Sequence, residues 1–176
     1  MRSKEYLFDV STLDPHKPVA DIEEIRRLNP QRFEMEQLTA VVHVNEDRTL
    51  CVGYKDVTEK EFWVRGHMPG MALMPGVVMI ECVAQLCSYF VHKDDMLGCE
   101  LVGLGGLENV KFRDPVFPGS RLWVICKKVR LRRGAMVTCL FQGIVDGEIV
   151  VEGELKGVAI PTEAVKLKMA SRVPAV

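Results

Sequence analysis

The stretch PGVVMIECVAQLCSYFV, from Pro75 to Val91, constrains this chain more than any other. At helical spacing it is apolar on nearly every side, and Pro75 suits a first helical position. A helix with so little polar surface must be buried, so the rest of the chain has to close over it. Pro69, Gly70, Pro75 and Gly76 interrupt the apolar run, which falls short of the roughly 20 continuous residues that a membrane span needs.

The flanking sequence predicts what does the closing. QLTAVVHV and TLCVGYKDV read as two strands joined by the polar turn NEDR. After Leu97 and Gly98 come ELVGLGGLENVKF, SRLWVICKKVRL, AMVTCLFQGIV and EIVVEGELKGVAI, divided by PVFPG, RRG and Asp146-Gly147. The last of these is a strong hairpin signal between alternating apolar residues. DIEEIRRL has helical spacing, with Asp21 as its N-cap and Asn29-Pro30 as its stop. The expected class is therefore α+β: an antiparallel sheet of about six strands wrapped around one long buried central helix, which is the hotdog arrangement. Residues 1–20 read as an N-terminal extension, 21–160 as one domain and 161–176 as a loosely held tail. A chain of 176 residues, 48% of them apolar, supports one such core.

Composition excludes several functions. The formal net charge of −1 gives no basis for nucleic-acid binding. The N-terminus, MRSKEYLFDV, lacks the apolar centre of a secretory signal, so a cytoplasmic location is expected. The six cysteines lie mostly within apolar helix-like and strand-like runs, and no CxxC or His-rich spacing marks a metal site. Free structural thiols are expected.

The helix carries one polar stripe: Glu81, Gln85, Ser88 and His92, spaced four, three and four apart. Burial disfavours the ionised form of a carboxyl, which suits a general acid. Alone, a Glu on an apolar helix more often meets a backbone group or reaches solvent. Gly76 stands at the helix start, where unpaired N–H groups attract negative charge and a missing Cβ permits close approach of a thioester carbonyl. Alone, Pro-Gly before a helix is ordinary punctuation. His67 lies upstream and cannot share the face of Glu81. Histidine is the commonest general base, and the three together are what abstraction of a proton beside a thioester needs.

GHMPGMALMPGVVMIECVAQ resembles the active-site motif of the FabA/FabZ-type β-hydroxyacyl-[acyl-carrier-protein] dehydratases. KDVTEKEFW before it and LENVKFRDPVFPGSRL after it are similar to the family's flanking segments, in the right order. Glu81, where FabA-type enzymes carry Asp, favours the FabZ side. Met68 and Ala72 depart from the usual Phe and Pro, and Ser120 from the usual Asp. PQRFEMEQLTAVV keeps only Arg32 and Phe33 of the family's His-Arg-x-Pro-Phe segment and is polar where the family is apolar.

The resemblance implies dehydration of 3-hydroxyacyl thioesters to trans-2-enoyl thioesters, in fatty-acid or related acyl-chain synthesis. His67 and Glu81 would be catalytic, Gly76 with Val77 would face the thioester oxygen, and Gln85 would support Glu81. No metal or redox cofactor is implied. The substrate would ride on acyl carrier protein or coenzyme A. His67 and Glu81 would come from opposite subunits of a homodimer, and the larger assembly open to it would be a trimer of dimers. Because carrier proteins are acidic, Lys128, Arg130 and Arg132 are expected to share one strand face as a docking patch. A hotdog acyl thioesterase and a non-catalytic acyl-binding protein are the alternatives.

Overall fold

The computed structural model describes residues 5–172. Three helices, α1 (Ile22–Leu28), α2 (Gly76–Lys93) and α3 (Thr162–Ala170), accompany six strands. These are β1 (Ala40–Val44), β2 (Leu50–Asp56), β3 (Val102–Phe112), β4 (Arg121–Arg132), β5 (Met136–Val145) and β6 (Glu148–Ala159). They form one sheet in the order β1-β2-β4-β5-β6-β3, with every neighbouring pair antiparallel.

The expected helix and strands are all present. Asp21 caps α1 by accepting from the Glu24 N–H at 2.9 Å. Asp146 and Gly147 both take positive φ, as a two-residue hairpin turn requires. α2 packs against β2, β4, β5 and β6. Leu86, Tyr89 and Phe90 are fully buried there with Val124, Phe141 and Leu155. Gly53 on β2 lets the helix come close, since a Cβ at that position would lie 3.1 Å from Leu86 Cδ1 and 2.9 Å from the Ala40 carbonyl. All six cysteines are free and five of them are buried; burial pushes the Cys82 thiol up to about 12, which makes it an inert packing group.

The ends of the chain hold two features that the sequence reading missed. Residues 162–170, read as a loose tail, form α3. The N-terminal segment is a strap over the sheet face opposite α2, where Leu7, Phe8, Val10 and Leu13 pack on a second apolar cluster that includes Val52, Ile125 and Ile144. Buried Gln142 on β5 grips the strap in the manner of a neighbouring strand. Its side-chain oxygen accepts from the Leu7 N–H at 2.8 Å and its amide donates to the Glu5 carbonyl at 2.9 Å.

Candidate active site

The start of α2 supplies the first part of the site. Pro75 is the N-cap, and its carbonyl takes the N–H groups of Val78 and Met79 at 2.9 and 3.2 Å. The N–H groups of Gly76 and Val77 bond to nothing among the described residues, as expected of a first helical turn. They border an open groove of about 570 Å³ whose walls include His67, Met74, Phe112 and Arg113. A Cβ at residue 76 would lie 2.7 Å from the Phe112 ring. The glycine thus lets an aromatic wall stand against the helix start, a requirement independent of any ligand.

His67 reaches the groove from a run of turns between β2 and α2. Its backbone N–H donates to the Trp63 carbonyl and its carbonyl accepts from the Leu73 N–H, each at 2.8 Å. The ring Nδ1 lies 2.9 Å from the Leu73 carbonyl oxygen. A carbonyl only accepts, so this contact fixes the proton of a neutral imidazole on Nδ1 and leaves Nε2 as the bare, basic nitrogen. A buried ion pair ties the turns to the sheet, Lys55 Nζ on β2 meeting Glu61 Oε2 at 3.1 Å with the two side chains 7% and 11% exposed.

Glu81 lies between the first and second turns of α2. Its Oε1 accepts from Gln85 Nε2 at 2.7 Å. The same nitrogen donates to the Met35 carbonyl at 2.6 Å, and Gln85 Oε1 accepts from the Gln37 N–H at 2.9 Å. Asn29 Nδ2 donates to the Gln85 carbonyl at 2.8 Å, and Glu36 of the same segment takes Arg26 of α1 through two bonds at 2.7 and 2.8 Å. The polar segment that departs from the family pattern is therefore the clamp on the glutamine that holds Glu81. Arg26 keeps the Glu36 carboxyl below its usual range by hydrogen bonding. With Oε1 engaged as an acceptor, a proton on Glu81 belongs on Oε2. Gln85 and Ser88 are buried, whereas Glu81 and His92 are half-buried in the single chain.

Within one chain His67 and Glu81 do not meet. His67 lines the groove at the helix start, and Glu81 lines a separate small cavity with Ser88 between α2 and the β3–β6 edge. Five residues separate Gly76 from Glu81, which turns them about 140° apart around the helix.

One expectation is corrected. Lys128, Arg130 and Arg132 do not share a face. A bulge between Lys128 and Arg130 shifts the β4–β5 register, so Lys128 pairs with Cys139 while Arg130 pairs with Thr138 and Arg132 with Met136. Cys139 faces α2, and Lys128 follows it, its Nζ 5.8 Å from the centre of the Phe90 ring and 3.5 Å from Met96 Sδ. Arg130 and Arg132 fall on the other face.

A six-stranded antiparallel sheet curled around one long central helix defines the hotdog class. Residues 29–154 match the FabA-like domain family, and the chain belongs to that family. It is 35% identical over 138 residues to the 3-hydroxyacyl-[acyl-carrier-protein] dehydratase FabZ of Geotalea uraniireducens, a match covering 77% of this chain and 94% of the relative. It is 36% identical over 141 residues to the FabZ protein of Anaeromyxobacter, covering 78% and 88%. Among solved structures, the dehydratase heterocomplex ApeI:P from Xenorhabdus doucetiae superposes with a TM-score of 0.68 at 19% identity, covering 82% of this chain and 96% of that one. The PaaI protein of E. coli gives 0.53 at 13% identity, covering 67% and 80%. Both likenesses bear on the fold.

Proposed function

We propose that this chain dehydrates 3-hydroxyacyl thioesters, carried by acyl carrier protein or coenzyme A, to trans-2-enoyl thioesters. The observation that carries the reading is a matched acid and base. In a neutral His67 the Leu73 carbonyl holds the proton on Nδ1 and makes Nε2 the acceptor, and Gln85, by occupying Glu81 Oε1, leaves Oε2 as the oxygen from which a proton would be given. The free N–H groups of Gly76 and Val77 donate to the thioester carbonyl, which stabilises the negative charge that grows on it as C2 loses its proton. His67 Nε2 takes that proton. The C3–O bond breaks and Glu81 protonates the departing oxygen, giving water. The membership and the FabZ relatives support this chemistry.

The working unit in this reading is a homodimer. β3 is one of the two edge strands of the sheet, has no strand partner on its outer side among the described residues, and exposes Leu104, Leu107 and Phe112. Such an edge invites pairing with another chain. Pairing there brings the partner subunit's Glu81 toward His67, which answers their separation within one chain. No helix among the described residues is long and apolar enough to cross a membrane. The carrier-docking role, with Lys128 turned to the helix side, falls to Arg130 and Arg132.

The test is incubation with 3-hydroxyacyl thioesters on both carriers. Growth of enoyl absorbance with the thioester intact supports dehydration. Release of free thiol without enoyl product would instead make the chain a thioesterase, and tight binding without turnover an acyl-binding protein.

A further inference from the structure

In the proposed reaction Glu81 gives its proton to the oxygen on C3, so C4 and every later carbon of the acyl chain begin at Glu81. A cavity of about 80 Å³ lies there, between α2 and the β3–β6 edge. Glu81, Ala84 and Ser88 line its helix side, three and four residues apart on one face. Leu104 and Leu155 line its sheet side, which suits hydrocarbon. Ser88 Oγ is already engaged with His92 Nδ1 at 3.3 Å. The cavity is shut at Gly157. That residue pairs with Leu104 and faces α2, where an added Cβ would lie 3.8 Å from Cys87 Sγ. The same Cβ would lie 2.9 Å from Val137 Cγ1 and 3.0 Å from Val102 Cγ1, so even one methyl group has no room. Cys87 in turn packs on Cys139, with the two sulfurs 3.7 Å apart.

We propose that Ala84 and Leu155 limit the length of acyl chain this protein accepts, and that its substrates are short 3-hydroxyacyl thioesters. Resting on the dehydratase reading above, this narrows its substrate class. A methylene group fills roughly the space of a water molecule, about 30 Å³, so the cavity holds about three carbons beyond C3. The ceiling is then a chain of about six carbons. Each further carbon has to displace side chains that are already packed, and interiors resist that. Ala84 is the small residue on the helix side, one turn past the acid and half-buried. Leu155 is the bulky one opposite, fully buried on β6. Neither touches the reacting atoms, so both act on chain length and leave the proton transfers alone.

The length profile reads this directly. The full-length protein is assayed for enoyl absorbance with 3-hydroxybutyryl, 3-hydroxyhexanoyl, 3-hydroxyoctanoyl and 3-hydroxydecanoyl thioesters, each on coenzyme A and on acyl carrier protein. Wild-type kcat/KM is expected to be at least about tenfold higher for the hexanoyl than for the decanoyl substrate. Ala84→Val adds two carbons to the helix side and leaves room for about one. It should lower kcat/KM about tenfold or more for the hexanoyl substrate and less than about threefold for the butyryl one. Leu155→Ala removes three carbons from the opposite wall. Assayed where it is still folded, it should raise the octanoyl-to-hexanoyl ratio of kcat/KM about tenfold. Equal wild-type kcat/KM for hexanoyl and decanoyl substrates overturns the proposal. So does an Ala84→Val protein that loses butyryl and hexanoyl activity alike, the result that a merely structural residue gives. An unchanged length profile in Leu155→Ala removes Leu155 from it. A wild type that makes no enoyl thioester at any length on either carrier removes the dehydratase reading itself, a result distinct from any of these.

Discussion

Gln85 is the residue on which the acid half of the site turns. Its amide nitrogen serves both Glu81 and the Met35 carbonyl, and its oxygen serves the Gln37 N–H. Gln85→Leu removes all three bonds at once in a place that is 2% exposed. It leaves the buried Gln37 N–H without a partner and frees the part-buried Met35 carbonyl, a loss of about 1–3 kcal/mol in stability. Activity should fall further than stability predicts, because Glu81 loses the bond that selects its proton-bearing oxygen. The measurement is kcat at a temperature where the variant is still fully folded, set beside its denaturant midpoint. Full activity in the folded variant would show that Glu81 needs no such orientation. The Glu81 partner is legible in the sequence, four residues away on the polar stripe. The Gln37 and Met35 partners lie 48 and 50 residues away, and no local period encodes a contact of that range.

At the scale of elements, what was legible and what was not divides by the range of the signal. α2 and the strands declare themselves through apolar period and turn residues, each a local property. The bulge in β4 shows no such mark, since Val129 alternates normally with its neighbours, and so Lys128 was placed on the wrong face. The strap was hidden for the same reason, as Gln142 and Glu5 stand 137 residues apart. The turns that present His67 depend on a nearer contact that also follows no helix or strand period, the buried Lys55–Glu61 pair six positions apart. Lys55→Met alone leaves Glu61 charged and unpaired, and should cost about 3–5 kcal/mol. Lys55→Met with Glu61→Leu removes both charges and should recover most of that loss. Chemical denaturation of the two variants distinguishes this from simple additivity, in which the double variant would be the weaker. The Arg26–Glu36 bond fastens the clamp segment and predicts a pH limb. Glu36 has a folded pKa below its unfolded value, so its contribution is present above the ordinary carboxyl range and is lost as pH falls through the lowered value. Glu36→Gln should flatten that part of the acid stability profile, and an unchanged profile would remove the pair from the account.

For the whole molecule, the decisive fact is that one chain places His67 and Glu81 in different cavities. In the proposed homodimer, the open edge of β3, with its exposed apolar side chains, is where a second copy joins them. If the site is shared, each homodimer contains two identical sites, and each site draws His67 from one subunit and Glu81 from the other. His67→Ala and Glu81→Ala proteins should each lose on the order of a hundredfold or more in kcat, the usual worth of a general base or acid. Mixed under conditions of proven subunit exchange, the two variants form a hybrid with one site lacking both groups and one site intact. At equal concentrations random pairing makes half of the dimers hybrid, so about a quarter of the wild-type sites are restored, a binomial expectation for a symmetric two-chain interface. Recovery near that level, increasing with exchange time, is the expected outcome. Proven exchange without recovery would mean that each chain works alone, and that His67 must reach its own Glu81 by a rearrangement of the turns between β2 and α2.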